Sequence, residues 1–202
     1  MLLDDKKCGC EVTREQVEEA VRTIIKWTGD DASRDGLQDT PARVTRSFEE
    51  FFSGYAEDPQ EFLSRTFEET EGYDEMILLR DIPFVSHCEH HMLPIIGRAH
   101  VAYIPRDRVV GISKLARVVN LYAKRLQIQE KMTAQVANAI IEVLNPYGCA
   151  VVIEAEHQCM SIRGVKTGGN SSMITSKLSG AFKKSDAMRA EFMSLCGLSR
   201  TK

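Results

Sequence analysis

The chain has 202 residues, enough for one domain with a sizeable core and a helical appendage. Hydrophobic residues make up 43% and charged residues 27%, an ordinary globular balance, and no apolar run is long enough to span a bilayer. A net charge of −3 speaks against a nucleic-acid partner, which calls for a basic excess, so an anionic substrate would need a local basic pocket. The first residues, Met1-Leu2-Leu3-Asp4-Asp5-Lys6-Lys7, lack the apolar core of a signal peptide, and six cysteines do not make a secreted disulfide framework. The expectation is a cytoplasmic protein with no membrane partner.

Cys8 and Cys10 flank Gly9 near the start and read as exposed thiols, with a small Cys-x-Cys metal clip as the alternative. Thr13 and Gln16 form a capping box ahead of Val17, Ala20, Val21 and Ile24 at helical spacing. A second helix starts at Thr40-Pro41 and runs towards Phe51; Asp58-Pro59 opens a short third. Near residue 75 the period changes. Met76 to Arg80 and Ile82 to Val85 read as strands, and alternating Ala99, Val101 and Tyr103 mark a half-buried one. Ser113 reads as the N-cap of a helix whose stripe is Leu115, Val118, Val119, Tyr122 and Leu126. Another helix, headed by Gln129-Glu130, carries Met132, Val136, Ala139, Ile140 and Val143 as far as Asn145-Pro146. A strand over residues 149 to 156 follows, a second comes after His157, residues 168 to 172 read as a loop, and Ser185 caps a final helix. Cys149 and Cys196 read as core filler. The fold class is α+β, with an N-terminal helical segment over residues 1–70 and a second, functional domain over 71–202.

Two short clusters carry the chemistry: Cys88-Glu89-His90-His91 and His157-Gln158-Cys159. Two thiolates and one imidazole give zinc three protein ligands and leave a fourth position open, the pattern of a catalytic centre. Spacing leaves either His90 or His91 as the imidazole ligand. If the segment is extended, His157 and Cys159 point to one side and share a pocket. A structural zinc or a Cys88–Cys159 disulfide is the plainer reading, but a structural zinc usually takes four protein ligands. His87-Cys88-Glu89 superficially fits a zinc deaminase, yet the Pro-Cys-x-x-Cys partner is absent, and so is a His-Glu-x-x-His helix. For phosphate, Ser113-Lys114 offers a helix start, with Arg117 on the same face; Arg43 and Arg46 repeat that spacing, and Arg163 follows Cys159. Each alone reads as a solvated charge. Glu130 alone reads as a first-turn carboxylate favoured by the helix dipole.

Taken together, Ser86-His87-Cys88-Glu89-His90-His91, Gly111-Ile112-Ser113-Lys114-Leu115-Ala116-Arg117, Leu126-Gln127-Ile128-Gln129-Glu130 and Glu156-His157-Gln158-Cys159-Met160 closely resemble GTP cyclohydrolase I. The likeness runs from Asp39-Thr40-Pro41-Ala42-Arg43 to the region of Phe192, with the motifs in order. It implies a tunnelling fold, an antiparallel sheet with two long helices, and a ring-shaped homodecamer whose active sites are shared between subunits. It implies conversion of GTP and water to 7,8-dihydroneopterin triphosphate and formate, the first step towards folates and other pterins. Carried over by motif, Cys88, His91 and Cys159 would bind Zn2+, leaving His90 and His157 for proton transfer. Glu130, with Gln129 beside it, would hold guanine. Arg43, Arg46, Lys114, Arg117 and Arg163 would line the triphosphate pocket, and Ser113 would assist the ribose rearrangement. Two alternatives are a zinc-containing pterin- or nucleotide-binding protein without turnover, and a related enzyme that stops after ring opening.

Overall fold

The computed structural model describes residues 12–68, 72–168 and 171–198. Cys8 and Cys10 lie outside the described residues, as do Gly169 and Asn170 of the expected loop. The chain divides into two units between Ala56 and Glu57.

In the N-terminal unit, α1 (Arg14–Trp27) begins at the expected capping box. The backbone N–H of Thr13 donates to Gln16 Oε1 at 2.7 Å and the N–H of Gln16 donates back to Thr13 Oγ1 at 3.4 Å, so two otherwise orphaned donors are satisfied. α2 (Thr40–Phe51) has its proline in the first turn, where a missing N–H costs nothing. An Arg14–Glu49 ion pair at 3.3 Å links the two helices.

The second unit opens with α3 (Pro59–Leu63), whose Asp58 side chain caps the N–H of Gln60 at 2.9 Å. The sequence reading grouped this helix with the N-terminal segment. It falls instead with the larger unit, because Leu63 is fully buried in the core built by the long helices. There follow β1 (Thr66–Phe67), β2 (Ile77–Cys88), β3 (Pro94–Ile104), β4 (Val109–Val110), α4 (Ile112–Ala123), β5 (Leu126–Gln127), α5 (Gln129–Leu144) and β6 (Gly148–His157). The chain ends with α6 (Gln158–Ser161), β7 (Met173–Leu178), α7 (Ala181–Lys184) and α8 (Asp186–Leu195). A five-stranded sheet runs β5-β2-β3-β6-β7, antiparallel except for the short β5–β2 pairing, and β1 pairs with β4. The architecture is α+β, as expected.

Strands alternate side chains between the two faces of a sheet, so β3 and β6 supply two cores. Ala99, Val101, Tyr103, Val151 and Ile153 pack with Leu115, Val118 and Val119 of α4 and Met132, Val136 and Ile140 of α5. Ala102, Ile104, Ala150 and Val152 pack with Phe182 of α7 and Phe192 of α8, whose rings meet edge-on at 5.6 Å. The half-buried strand expected from Ala99, Val101 and Tyr103 is therefore buried on both faces from Ala99 to Ile104. The C-terminal helices cover the side that the alternation left for solvent.

Three local expectations change. The two strands read around Ile82 are one strand, β2, interrupted by a bulge at which Asp81 takes φ 56° and the pairing register shifts between Leu79 and Ile82. Ser113 is not an N-cap: Gly111 holds that position without a side-chain bond, and Ser113 sits exposed inside the first turn of α4. After His157 the chain turns into the short helix α6, not a strand, so the strand after β6 is delayed to Met173.

Candidate active site

β2 delivers Cys88 to the end of the sheet, where the thiol is 4% exposed. A tight loop then returns the chain to β3. The carbonyl of Cys88 accepts from the N–H groups of His91 (3.3 Å) and Met92 (2.8 Å), and the N–H of Cys88 donates to the carbonyl of Leu93 at 2.9 Å. Met92 takes the left-handed φ of 54° that closes this turn. From the other side, β5 pairs with His87 and Cys88, and the carbonyl of Gln127 accepts from the N–H of Glu89 at 3.0 Å. The backbone around Cys88 is thus pinned by two strands while the rings of His90 and His91 stay exposed.

Cys159 arrives from the first turn of α6. The same-side argument for His157 and Cys159 rested on an extended segment and does not apply, since His157 ends β6 and Cys159 is helical. The ligand atoms of Cys88, His91 and Cys159 nonetheless lie within 4.8 Å of one another, a group able to hold a metal ion. Cys88 Sγ is 3.7 Å from His90 Nδ1 and 3.8 Å from His91 Nδ1, and the two imidazole rings stand 6.3 Å apart and steeply inclined. Burial, and then the neighbouring Cys88 sulfur, push the Cys159 thiol upwards, with Arg163 opposing. Two thiolates this close repel each other, and a cation between them removes that cost.

Around this cluster the structure places His157 and Gln129 together. His157 Nε2 lies 2.8 Å from Gln129 Oε1. Gln129 is 2% exposed, and its Nε2 lies within hydrogen-bond reach of the carbonyls of Ile153 (3.1 Å) and Met173 (2.9 Å) and of Thr175 Oγ1 (3.1 Å). Burial holds the imidazole of His157 below its usual range, against the pull of the Glu130 carboxylate nearby. Glu130 itself is exposed in the first turn of α5. Beside it, Lys131 meets Glu89 at 3.9 Å, an exposed pair of the kind worth at most about 1 kcal/mol.

The basic candidates are spread more widely. Ser113, Lys114 and Arg117 stand on the first turns of α4 and make no hydrogen bond or ion pair with the Cys–His cluster among the described residues; the guanidinium of Arg117 lies 6.0 Å from the Phe62 ring centre. Arg163 follows α6 and is exposed. Arg43 and Arg46 are exposed on α2 of the N-terminal unit, Arg43 paired with Asp39 at 3.0 Å. A cavity of about 300 Å³ opens over the outer surface of β3 and β6, lined by Arg98, Glu154, Glu156 and Ser172 among others, and does not include Cys88, His91 or Cys159.

Sequence reasoning did not single out Thr133, Thr175 or Gln127 as parts of this site. Thr133 Oγ1 donates to the carbonyl of Gln129 at 2.7 Å and meets Thr175 Oγ1 at 2.7 Å. Buried Gln127 donates to the carbonyl of Tyr122 at 2.8 Å and to Gln135 Oε1 at 2.9 Å, which fixes the turn from α4 to α5. The signal available for Gln127 was its place in the Leu126-Gln127-Ile128-Gln129-Glu130 motif. Thr175 had none, because its part depends on the β6–β7 register that puts it opposite Ile153.

The family model for GTP cyclohydrolase I matches residues 17–197 of this chain. A GTP cyclohydrolase 1 of Sinorhizobium fredii is 56% identical over 194 residues, covering 96% of this chain and 93% of that one. One of Allorhizobium ampelinum is 52% identical over 183 residues, covering 91% and 90%. Among solved structures, the apo form of an archaeosine synthase QueF-Like aligns with 52% of this chain and 93% of its own at 18% identity and a TM-score of 0.43. The motif resemblance, the Cys–His–Cys group and two relatives alike over almost their whole length agree: this chain belongs to the GTP cyclohydrolase I family of enzymes.

Proposed function

We propose that this protein converts GTP and water to 7,8-dihydroneopterin triphosphate and formate, entering folate and pterin synthesis. The observation that carries the reading is the convergence of Cys88, His91 and Cys159, with His157 held nearby by a buried glutamine. Their donor chemistry fits Zn2+. Sulfur near 2.3 Å and nitrogen near 2.0–2.1 Å from a tetrahedral ion lie about 3.6 Å apart. The Cys88 Sγ separations of 3.7 Å to His90 Nδ1 and 3.8 Å to His91 Nδ1 are both close to that edge, and His91 is the one grouped with Cys159 as well. We assign Cys88, His91 and Cys159 as the metal ligands. When bound, zinc supplies the Lewis acidity that makes water a competent nucleophile near neutral pH.

The remaining roles fall to this chain's own side chains. Guanine presents N1–H and its 2-amino group as adjacent donors, and the carboxylate of Glu130 accepts from both in a bidentate pair. That pairing sets carbon-8 against the metal-binding group. His157 and His90 move protons to and from the ring nitrogens as the five-membered ring opens and formate leaves, the general acid–base task that imidazoles most often perform. Lys114, Arg117 and Arg163 hold the triphosphate, and Ser113 assists the ribose rearrangement before the pterin ring closes. Incubating the purified protein with GTP and measuring both formate and product mass tests this reading. The dihydroneopterin triphosphate mass with one formate per GTP is expected. An opened-ring product would reduce the reading to the first half of the reaction, and no product would leave a nucleotide-binding protein.

A further inference from the structure

The side chain of Gln129 has no donor left for a substrate, since the two protons of its amide nitrogen face three acceptors. Its orientation can be assigned, because two of the atoms facing Nε2 are backbone carbonyl oxygens, Ile153 O at 3.1 Å and Met173 O at 2.9 Å, which can only accept. Turning the amide over would set its oxygen against both of them, with no proton between. The two hydroxyls agree with this orientation. Thr133 donates to the carbonyl of Gln129, Thr175 can donate to Thr133, and Thr175 then accepts from Gln129 Nε2 at 3.1 Å. Every proton in this chain of bonds has an acceptor, and the direction is self-consistent. Gln129 Oε1 is therefore the atom that faces His157 Nε2 at 2.8 Å. An amide oxygen only accepts, so Nε2 of the imidazole carries a proton.

We propose that Gln129 is a positioning residue: it holds the Nε2–H of His157, fixes the ring's orientation and tautomer, and leaves Nδ1 as the atom that exchanges protons with the substrate. The inference rests on the reading of His157 as a proton-transfer group. It gives Gln129 a different part from the guanine contact that the family resemblance implies, because an amide this buried, with its nitrogen spent on the strand pair and its oxygen facing His157, acts through the histidine. The partner of the non-reacting ring nitrogen commonly selects the tautomer of a working histidine. Here that partner is itself oriented by a strand pair, so the selection is built into the β6–β7 register.

Gln129→Met keeps the length of the side chain and removes both the acceptor and the donors. Its kcat should fall roughly 10–100-fold, the usual cost of losing such a partner, with the KM for GTP and the zinc content close to those of the parent. A raised KM with kcat intact would place Gln129 on the guanine and overturn the inference. A second readout needs no variant at position 129. Solid-state 15N spectra of imidazole-labelled holoenzyme, with the His157 signal assigned by its loss in His157→Ala, should show protonated Nε2 and bare Nδ1. A ring carrying its proton on Nδ1, in an enzyme whose His157→Ala variant has lost turnover, would overturn the inference and leave the function standing. Full turnover by His157→Ala would instead remove the proton-transfer reading on which it rests.

Discussion

Cys88, His91 and Cys159 offer their ligand atoms to one point, so each variant there carries the same expectation. Cys88→Ser or Cys159→Ser should lose both zinc and turnover, measured as metal content and formate release. His90→Ala and His157→Ala should keep most of their zinc while turnover falls ~10²–10⁴-fold, the usual share of a proton-transfer group. Zinc lost from His90→Ala but kept in His91→Ala would reverse the ligand assignment. Glu130 separates two readings by size. A carboxylate that only favours its helix start contributes roughly 0.3–1 kcal/mol, whereas one that pairs with guanine can reject an unmatched base by ~10⁴-fold or more. Negligible turnover of ATP, and a Glu130→Ala protein that melts normally, holds zinc and binds GTP poorly, are expected. Lowered melting with normal catalytic efficiency would make Glu130 structural. At this scale the grouping of Cys88, His91 and Cys159 was legible, because thiols and imidazoles at short spacing have few uses. What could not be read was the support of His157: Thr175 lies on a strand whose pairing no local pattern specifies.

Among the elements, the β2 bulge holds a buried titratable group of β3 away from the site. His100 is 1% exposed, its Nδ1 accepts from the N–H of Asp81 at 3.3 Å, and burial holds its imidazole below the ordinary value of 6.5. Asp81 and Glu154 pull upwards and Arg98 and Arg80 downwards, each less than burial does. The folded-state pKa is lowered, so the unfolded chain takes up the proton first. This contribution to stability is complete above about pH 6.5 and is lost as pH falls below it. His100→Asn keeps an acceptor for Asp81 and removes the titration, so melting temperatures between pH 7 and pH 5 should fall less steeply than in the parent. Equal slopes would show that His100 does not contribute. Gly97 is a second weak point: a Cβ there would run into the Glu154 carbonyl and the Ala155 side chain on β6. Gly97→Ala should cost about 1–3 kcal/mol in denaturant unfolding. Helix starts marked by side chains, Thr13 and Asp58, were legible, as was the proline of α2. The start of α4 was misplaced by a serine whose hydroxyl makes no cap, and α6 was missed because four residues hold no period to read.

For the whole molecule, the α+β class followed from the change of period near residue 75, but the second core did not. Phe182 and Phe192 sit at the far end of the chain, and nothing local ties them to Ala102 and Val152. Among the described residues, no helix is long and apolar enough to cross a membrane. The basic residues proposed for the triphosphate stand on separate elements, and we expect sites shared across subunits of a homo-oligomeric ring. Mixing inactive Cys88→Ser and Arg117→Ala proteins under conditions of subunit exchange should restore part of the activity; a fully active monomer at assay concentration would contradict sharing. The central claim is that the Cys88–His91–Cys159 group carries out ring chemistry on guanine, and it has a direct measurement. GTP labelled with 13C at carbon-8 should yield 13C-formate in step with the pterin product, and Cys159→Ser should abolish both. Unlabelled formate, or labelled formate released undiminished by a metal-free Cys159→Ser protein, would contradict the account.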